Sequence, residues 1–169
     1  MRKRVYLNVI LIIVWIFVPF EILGGEVNGV HKKDDNKAPH HDESHGHRHH
    51  IALFLGNTHH EDENEFTIGF DYELRLNPIV GIGGLIDYAG GHFDSTVIAI
   101  PLFIHPVNNL KFFGAPGFEN KEGENEFLVR VGTIYDIHMG NYSISPTFSV
   151  DFVNGEEIMI FGLGFGLSF

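Results

Sequence analysis

The sequence predicts an all-β fold, an eight-stranded antiparallel up-and-down transmembrane β-barrel over residues 50–169. Three observations predict it. From residue 50 onward apolar and polar residues alternate with a period of two, the period at which side chains change face along a strand. One face of these segments is dense in Phe and Tyr and nearly free of charge, while the other carries Gly, Ser, Thr and isolated charges. There are eight such segments, each close to the roughly 9–11 residues that a tilted strand needs to cross a bilayer. The 20 Gly and 16 Phe among 169 residues point the same way, towards aromatic strand surfaces rather than helices.

The segments follow in order. Residues 50–58 set Ile51, Leu53 and Leu55 against Ala52, Phe54 and Gly56. Residues 65–76 are the clearest: Phe66, Ile68, Phe70, Tyr72, Leu74 and Leu76 share one face, and Glu65, Thr67, Gly69, Asp71, Glu73 and Arg75 the other. Residues 79–89 oppose Val80, Ile82, Ile86 and Tyr88 to Gly81, Gly83, Leu85 and Asp87. Residues 95–104 are apolar on both faces, so the pattern leaves their orientation open. Residues 109–118 set Leu110, Phe112, Gly114 and Phe118 against Lys111, Phe113 and Ala115. Residues 127–138 set Phe127, Val129, Val131, Thr133, Tyr135 and Ile137 against Leu128, Arg130, Gly132, Ile134, Asp136 and His138. In residues 142–152 an apolar row from Tyr142 to Phe152 alternates with Ser143, Ser145, Thr147, Ser149 and Asp151. The last segment carries Met159, Phe161, Leu163, Phe165, Leu167 and Phe169 on one face and glycines on most of the other.

The connections divide into two sets. Asn77-Pro78, His105 to Asn108 and Met139 to Asn141 read as short turns at one end. His59 to Asn64, Gly90 to Asp94, Glu119 to Asn125 and Asn154 to Glu156 read as mostly longer loops at the other, acidic apart from the glycine-rich one. That asymmetry is expected of a barrel with one end towards the cell surface. A dense aromatic face with few charges favours lipid outside over a soluble barrel with its apolar face inward.

Two segments precede the barrel. Residues 1–25 read as a signal peptide: Arg2, Lys3 and Arg4, then an apolar run from Val5 to Phe20, ended by Pro19 and Glu21. Residues 26–49 read as a disordered His-rich leader without apolar periodicity. His40, His41, His45, His47, His49 and His50 are the candidate ligands for Zn²⁺, Ni²⁺ or Cu²⁺, since imidazole suits these metals and a flexible chain can gather several rings. A solvated linker is the alternative. Removing residues 1–25 leaves 8 bases against 21 acids. That balance argues against a nucleic-acid partner, which demands clustered Lys and Arg. With no cysteine, a disulfide scaffold, a thiol nucleophile and a thiolate zinc site are excluded.

The final stretch, Phe161-Gly-Leu-Gly-Phe-Gly-Leu-Ser-Phe169, resembles the C-terminal strand of bacterial outer-membrane barrels. Residues 50–169 as a whole resemble the small eight-stranded members of that porin-like superfamily. The resemblance implies an outer-membrane location with both termini periplasmic, a lipid-embedded monomer, and recognition of Phe169 by the barrel-assembly machinery. It implies no active site, because the group includes anchors, adhesins, channels and enzymes.

The inward face is expected to hold a charge network of Asp71, Glu73, Arg75, Asp87, Arg130, Asp136 and Asp151, with Lys111 and His138 nearby. Buried charges must be paired, so an internal salt-bridge network is favoured over an ion relay. His92, Asp94 and Ser95 fall in one loop, where a hydrolase triad is not expected. His59 and His60 before Glu61, Asp62 and Glu63 read as a solvated loop rather than a cation site. The leading functional expectation is a non-enzymatic barrel with a structural or surface-interaction role and no cofactor. Metal capture by the leader and passage of small or hydrophobic molecules are the alternatives.

Overall fold

The computed structural model describes residues 48–91, 93–107 and 109–169. The expected signal peptide and nearly all of the expected leader lie outside these residues. Ten strand segments are present: β1 (His49–His60), β2 (Glu63–Arg75), β3 (Val80–Ala89), β4 (Ser95–Ala99), β5 (Leu102–Val107), β6 (Leu110–Lys121), β7 (Glu124–Tyr135), β8 (Ile137–Met139), β9 (Tyr142–Val153) and β10 (Glu156–Ser168). They make eight staves. β4 and β5 pair with β3 and β6 in the same register on either side of Ile100-Pro101, and the register against β6 shifts only between Ile104 and Val107. Pro101 has no N–H to donate, yet its carbonyl accepts from Gly83 N at 2.9 Å, and Ile100 N donates to Pro116 O at 3.0 Å. β7 and β8 likewise keep one register against β9 across Asp136. β1 pairs with both β2 and β10, so the sheet closes on itself and has no edge.

The ladder fixes the barrel's shape. Directly paired residues run His49, Leu74, Ile82, Leu102, Gly114, Val131, Val150, Met159 and back to β1 at His59. The circuit returns displaced by the ten residues between His49 and His59. With standard strand spacing this shear tilts eight staves by about 41°. A 12-residue strand such as β6 or β7 then rises about 30 Å, the thickness of a bilayer's hydrocarbon core.

The predicted faces are observed. Phe66, Ile68, Phe70, Phe127, Val131 and Phe165 point outward and are about half exposed, while Thr67, Glu73, Leu128, Arg130, Ser149 and Asp151 are buried inside. The stave left open by its sequence is now oriented. Val97, Ala99, Pro101, Phe103 and His105 face in, and Ile98, Ile100, Leu102 and Ile104 face out. The exposed tyrosines Tyr88, Tyr135 and Tyr142 all lie near strand ends, where an amphipathic ring meets the headgroups.

Two expectations need correction. The acidic connections are not long loops. β1 and β2 run to His60 and resume at Glu63, β6 and β7 turn at Glu122-Gly123, and β9 and β10 turn at Asn154-Gly155. Both residues of the last two turns have positive φ (53° and 86°, 50° and 83°), the type I′ geometry that matches strand twist. Above the bilayer both strand faces meet water, so alternation vanishes from the sequence while pairing continues. The lumen is also not simply polar. Phe54, Leu85, Val97, Phe103, Phe113 and Ile160 form a buried apolar cluster inside it.

Candidate functional site

The inward charges gather into two clusters, separated along the axis by that apolar layer. Towards the acidic end, β7 aims Arg130 at carboxylates from β3 and β9. Its Nε donates to Asp151 Oδ1 at 2.6 Å and its Nη2 to Asp151 Oδ2 at 2.9 Å. Its Nη1 donates to Asp87. The planar guanidinium thus bridges two staves with a bidentate fork on one side. Gly69 on β2 makes this possible, since a Cβ there would collide with the Asp87 carboxylate. The glycines of the inward faces therefore serve side-chain room as well as strand curvature.

The second cluster lies towards the end where β1 begins and β10 ends. Lys111 Nζ sits 2.9 Å from Asp136 Oδ2 and 3.3 Å from Glu73 Oε2. Asp136 also accepts from Ser145 Oγ at 2.7 Å. His105 joins in a defined tautomer. Arg75 Nη2 lies 2.9 Å from His105 Nδ1, and a guanidinium can only donate. Nδ1 is therefore the acceptor, and Nε2–H donates to Glu73 Oε1 at 2.6 Å. Arg75 has no carboxylate at hydrogen-bond distance among the described residues.

All seven residues of the expected network face the lumen. Six of them enter the two clusters. Asp71 stands between the clusters and borders voids on both sides. Sequence reasoning missed His105, which it placed in a turn, and treated Lys111 as peripheral although it joins two carboxylates. The inward parity of Phe103 and His105 was hidden because their stave is apolar on both faces. Among the packed aromatics, Phe103 and Phe113 approach at 5.7 Å between ring centres, and Lys111 Nζ lies 5.8 Å over the Phe103 ring. Around the apolar layer lie three lumen voids of about 20 Å³ each, enough for about one water apiece.

The other candidates separate. His40, His41, His45 and His47 lie outside the described residues. His49, expected at the end of the leader, lies in β1, as does His50. His49 Nδ1 meets Tyr72 Oη at 2.9 Å and its ring stacks on Phe169 at 5.5 Å. His50 turns inward, with Nε2 3.1 Å from Ser143 Oγ. His92 lies outside the described residues, Asp94 accepts from Tyr88 Oη at 2.9 Å, and Ser95 is buried facing in. His59 pairs with Asn64 at 3.0 Å and His60 with Glu156 at 3.4 Å. No group of three potential metal ligands occurs among the described residues.

Charge is divided along the axis. The strand ends and turns at residues 59–65, 94, 119–126 and 156–157 carry eleven acids and one base, Lys121. The opposite turns carry no acid, and the mouth there is bordered by Arg48, Arg75 and Lys111 together with Glu73 and Asp136.

Comparison with solved structures gives small outer-membrane barrels. The chain matches the N-terminal β-barrel domain of Pseudomonas aeruginosa OprF with a TM-score of 0.54 and 11% identity, over 71% of this chain and 97% of that one. It matches the attachment invasion locus protein Ail of Yersinia pestis at 0.49 and 13% identity, over 72% and 96% of the two chains. Neisserial surface protein A matches at 0.47 and 10%, over 72% and 96%. At such identities the likeness is one of fold, and it agrees with the architecture expected from the sequence. No family model and no curated protein matches the chain.

Proposed function

We propose that this chain is a non-enzymatic outer-membrane barrel that acts through its acidic end, exposed at the cell surface, as an interaction platform for cationic partners. The observation that carries the reading is the acidic crown itself, raised beyond the apolar belt on paired strands and rigid two-residue turns. Asn120 Nδ2 donates to Asn125 Oδ1 at 2.9 Å across one of these hairpins, so its carboxylates are held in place rather than trailing on loops. Glu119 and Glu126 are even paired directly across strands, a like-charge arrangement that costs stability and that a basic ligand would relieve.

The same reading places both termini in the periplasm and the barrel as a monomer in lipid. Phe169 is 55% exposed on the outer wall, accessible to assembly factors. In the test, the mature protein in neutral detergent is titrated with a fluorescent lysine-rich peptide. Binding is expected, weakening at high ionic strength and about tenfold or more on combining Glu122→Gln, Glu124→Gln and Glu126→Gln. Binding that ignores both changes overturns the platform reading.

Passage through the lumen is disfavoured, since Phe103, Phe113 and both ion-pair clusters fill it. Planar-bilayer recording of the wild-type barrel is expected to be silent. Steady unitary conductance would restore the channel reading.

A further inference from the structure

The mouth at the end where β1 begins and β10 ends holds a cavity of about 160 Å³. It is lined by Arg48, His50, Glu73, Arg75, Lys111 and Asp136, with His138 at its rim. Within it the two carboxylates are already engaged by Lys111, and Glu73 also by His105. The donors are in surplus. Arg75 spends one N–H on His105, and the Arg48 side chain has no polar partner among the described residues. The two arginines are also tied together at the backbone, with Arg75 N donating to Arg48 O at 2.7 Å, so the guanidiniums stem from one rim, Arg48 just before β1 and Arg75 at the end of β2. His50 is held by Ser143 against the bare Cα of Gly166, where a Cβ would displace it. Two guanidiniums without carboxylate partners, converging on one polar cavity, are the donor set that recognises an oxyanion. Among the described residues, the opposite end carries eleven acids and one base, so this mouth is the end whose charges suit an oxyanion.

We infer that this mouth binds a phosphate-class oxyanion, with Arg48 and Arg75 as its principal ligands. Two sources share that chemistry, free phosphate and the headgroup of an anionic phospholipid in the adjoining leaflet, which the rim position of Arg48 can reach.

The test uses the mature full chain, in neutral detergent for inorganic phosphate and in nanodiscs of phosphatidylcholine with or without phosphatidylglycerol for the headgroup. Amide shifts of β1, β2 and β8 residues at the mouth report occupancy. Saturable shifts with phosphate assign a soluble ligand, and shifts only with phosphatidylglycerol assign the lipid. In either arm Arg48→Gln with Arg75→Gln is expected to raise the apparent Kd about tenfold or more, while Lys121→Gln at the far end leaves it unchanged. Because Arg75 also supports His105, Arg48→Gln alone is the second variant. It touches an exposed side chain, and about a threefold loss is expected. No saturable shift in either arm, or equal losses with Lys121→Gln, overturns the inference.

Discussion

Replacing Arg130 by Met is expected to destabilise the barrel by about 3–5 kcal/mol, the cost of leaving buried carboxylates without their counter-charge. Arg130 alone bridges Asp87 and Asp151, and all three are buried. The loss comes less from the missing bond than from two acids stranded in a space too small for a hydration shell. The companion variant separates these causes. Arg130→Met combined with Asp87→Asn and Asp151→Asn removes the charges together and is expected to recover most of the stability. Urea unfolding in lipid vesicles, followed by Trp-independent far-UV signal or heat-modifiable gel migration, reads both. A triple variant as unstable as the single one would show that the guanidinium acts through packing instead.

The second large effect lies on the outer wall. Val131→Arg, at the middle of β7's outward row, is expected to cost about 2–4 kcal/mol, the price of a cation at the bilayer midplane. Tyr135→Arg, four residues along the same face and near the strand end, is expected to cost only about 0–1 kcal/mol. Both positions are 44% exposed, so burial by protein does not distinguish them and depth in lipid does. The same two variants in detergent micelles, where the hydrophobic slab is soft, should differ less. Equal costs in a bilayer would displace the belt from where the strand geometry puts it.

The strands were legible because lipid on one side and a packed lumen on the other force a period of two. Phe66 to Leu76 shows this without ambiguity. Where the physical contrast between the faces fades, so did the sequence signal. Residues 95–104 are apolar inside and out because Val97, Ala99 and Phe103 join the internal cluster while Ile98 and Ile104 meet lipid. The extension of β6 and β7 through Glu119 to Glu126 was invisible because charged and amide side chains occupy both faces there. Asn154-Gly155 and Glu122-Gly123 were its readable trace, as the residue pairs that tolerate positive φ in a tight hairpin. Among the charges, Arg130 and its two acids followed from inward parity alone. The tautomer of His105 and its bond to Arg75 did not, because they depend on which staves become neighbours after an interrupted stave passes Pro101.

The ten-residue displacement of the closed ladder has a mechanical consequence. Inward and outward residues alternate, so a closed wall can change its displacement only in steps of two, and each step alters the radius by roughly a tenth. The girth is therefore quantised. An open sandwich can shrink onto a truncated side chain by sliding its sheets a fraction of an ångström, and this wall has no such small adjustment. Volume removed from Phe54, Phe103 or Phe113 must persist as empty or watered space, and volume added has nowhere to go. The contents of the lumen are cut to a container that comes in discrete sizes.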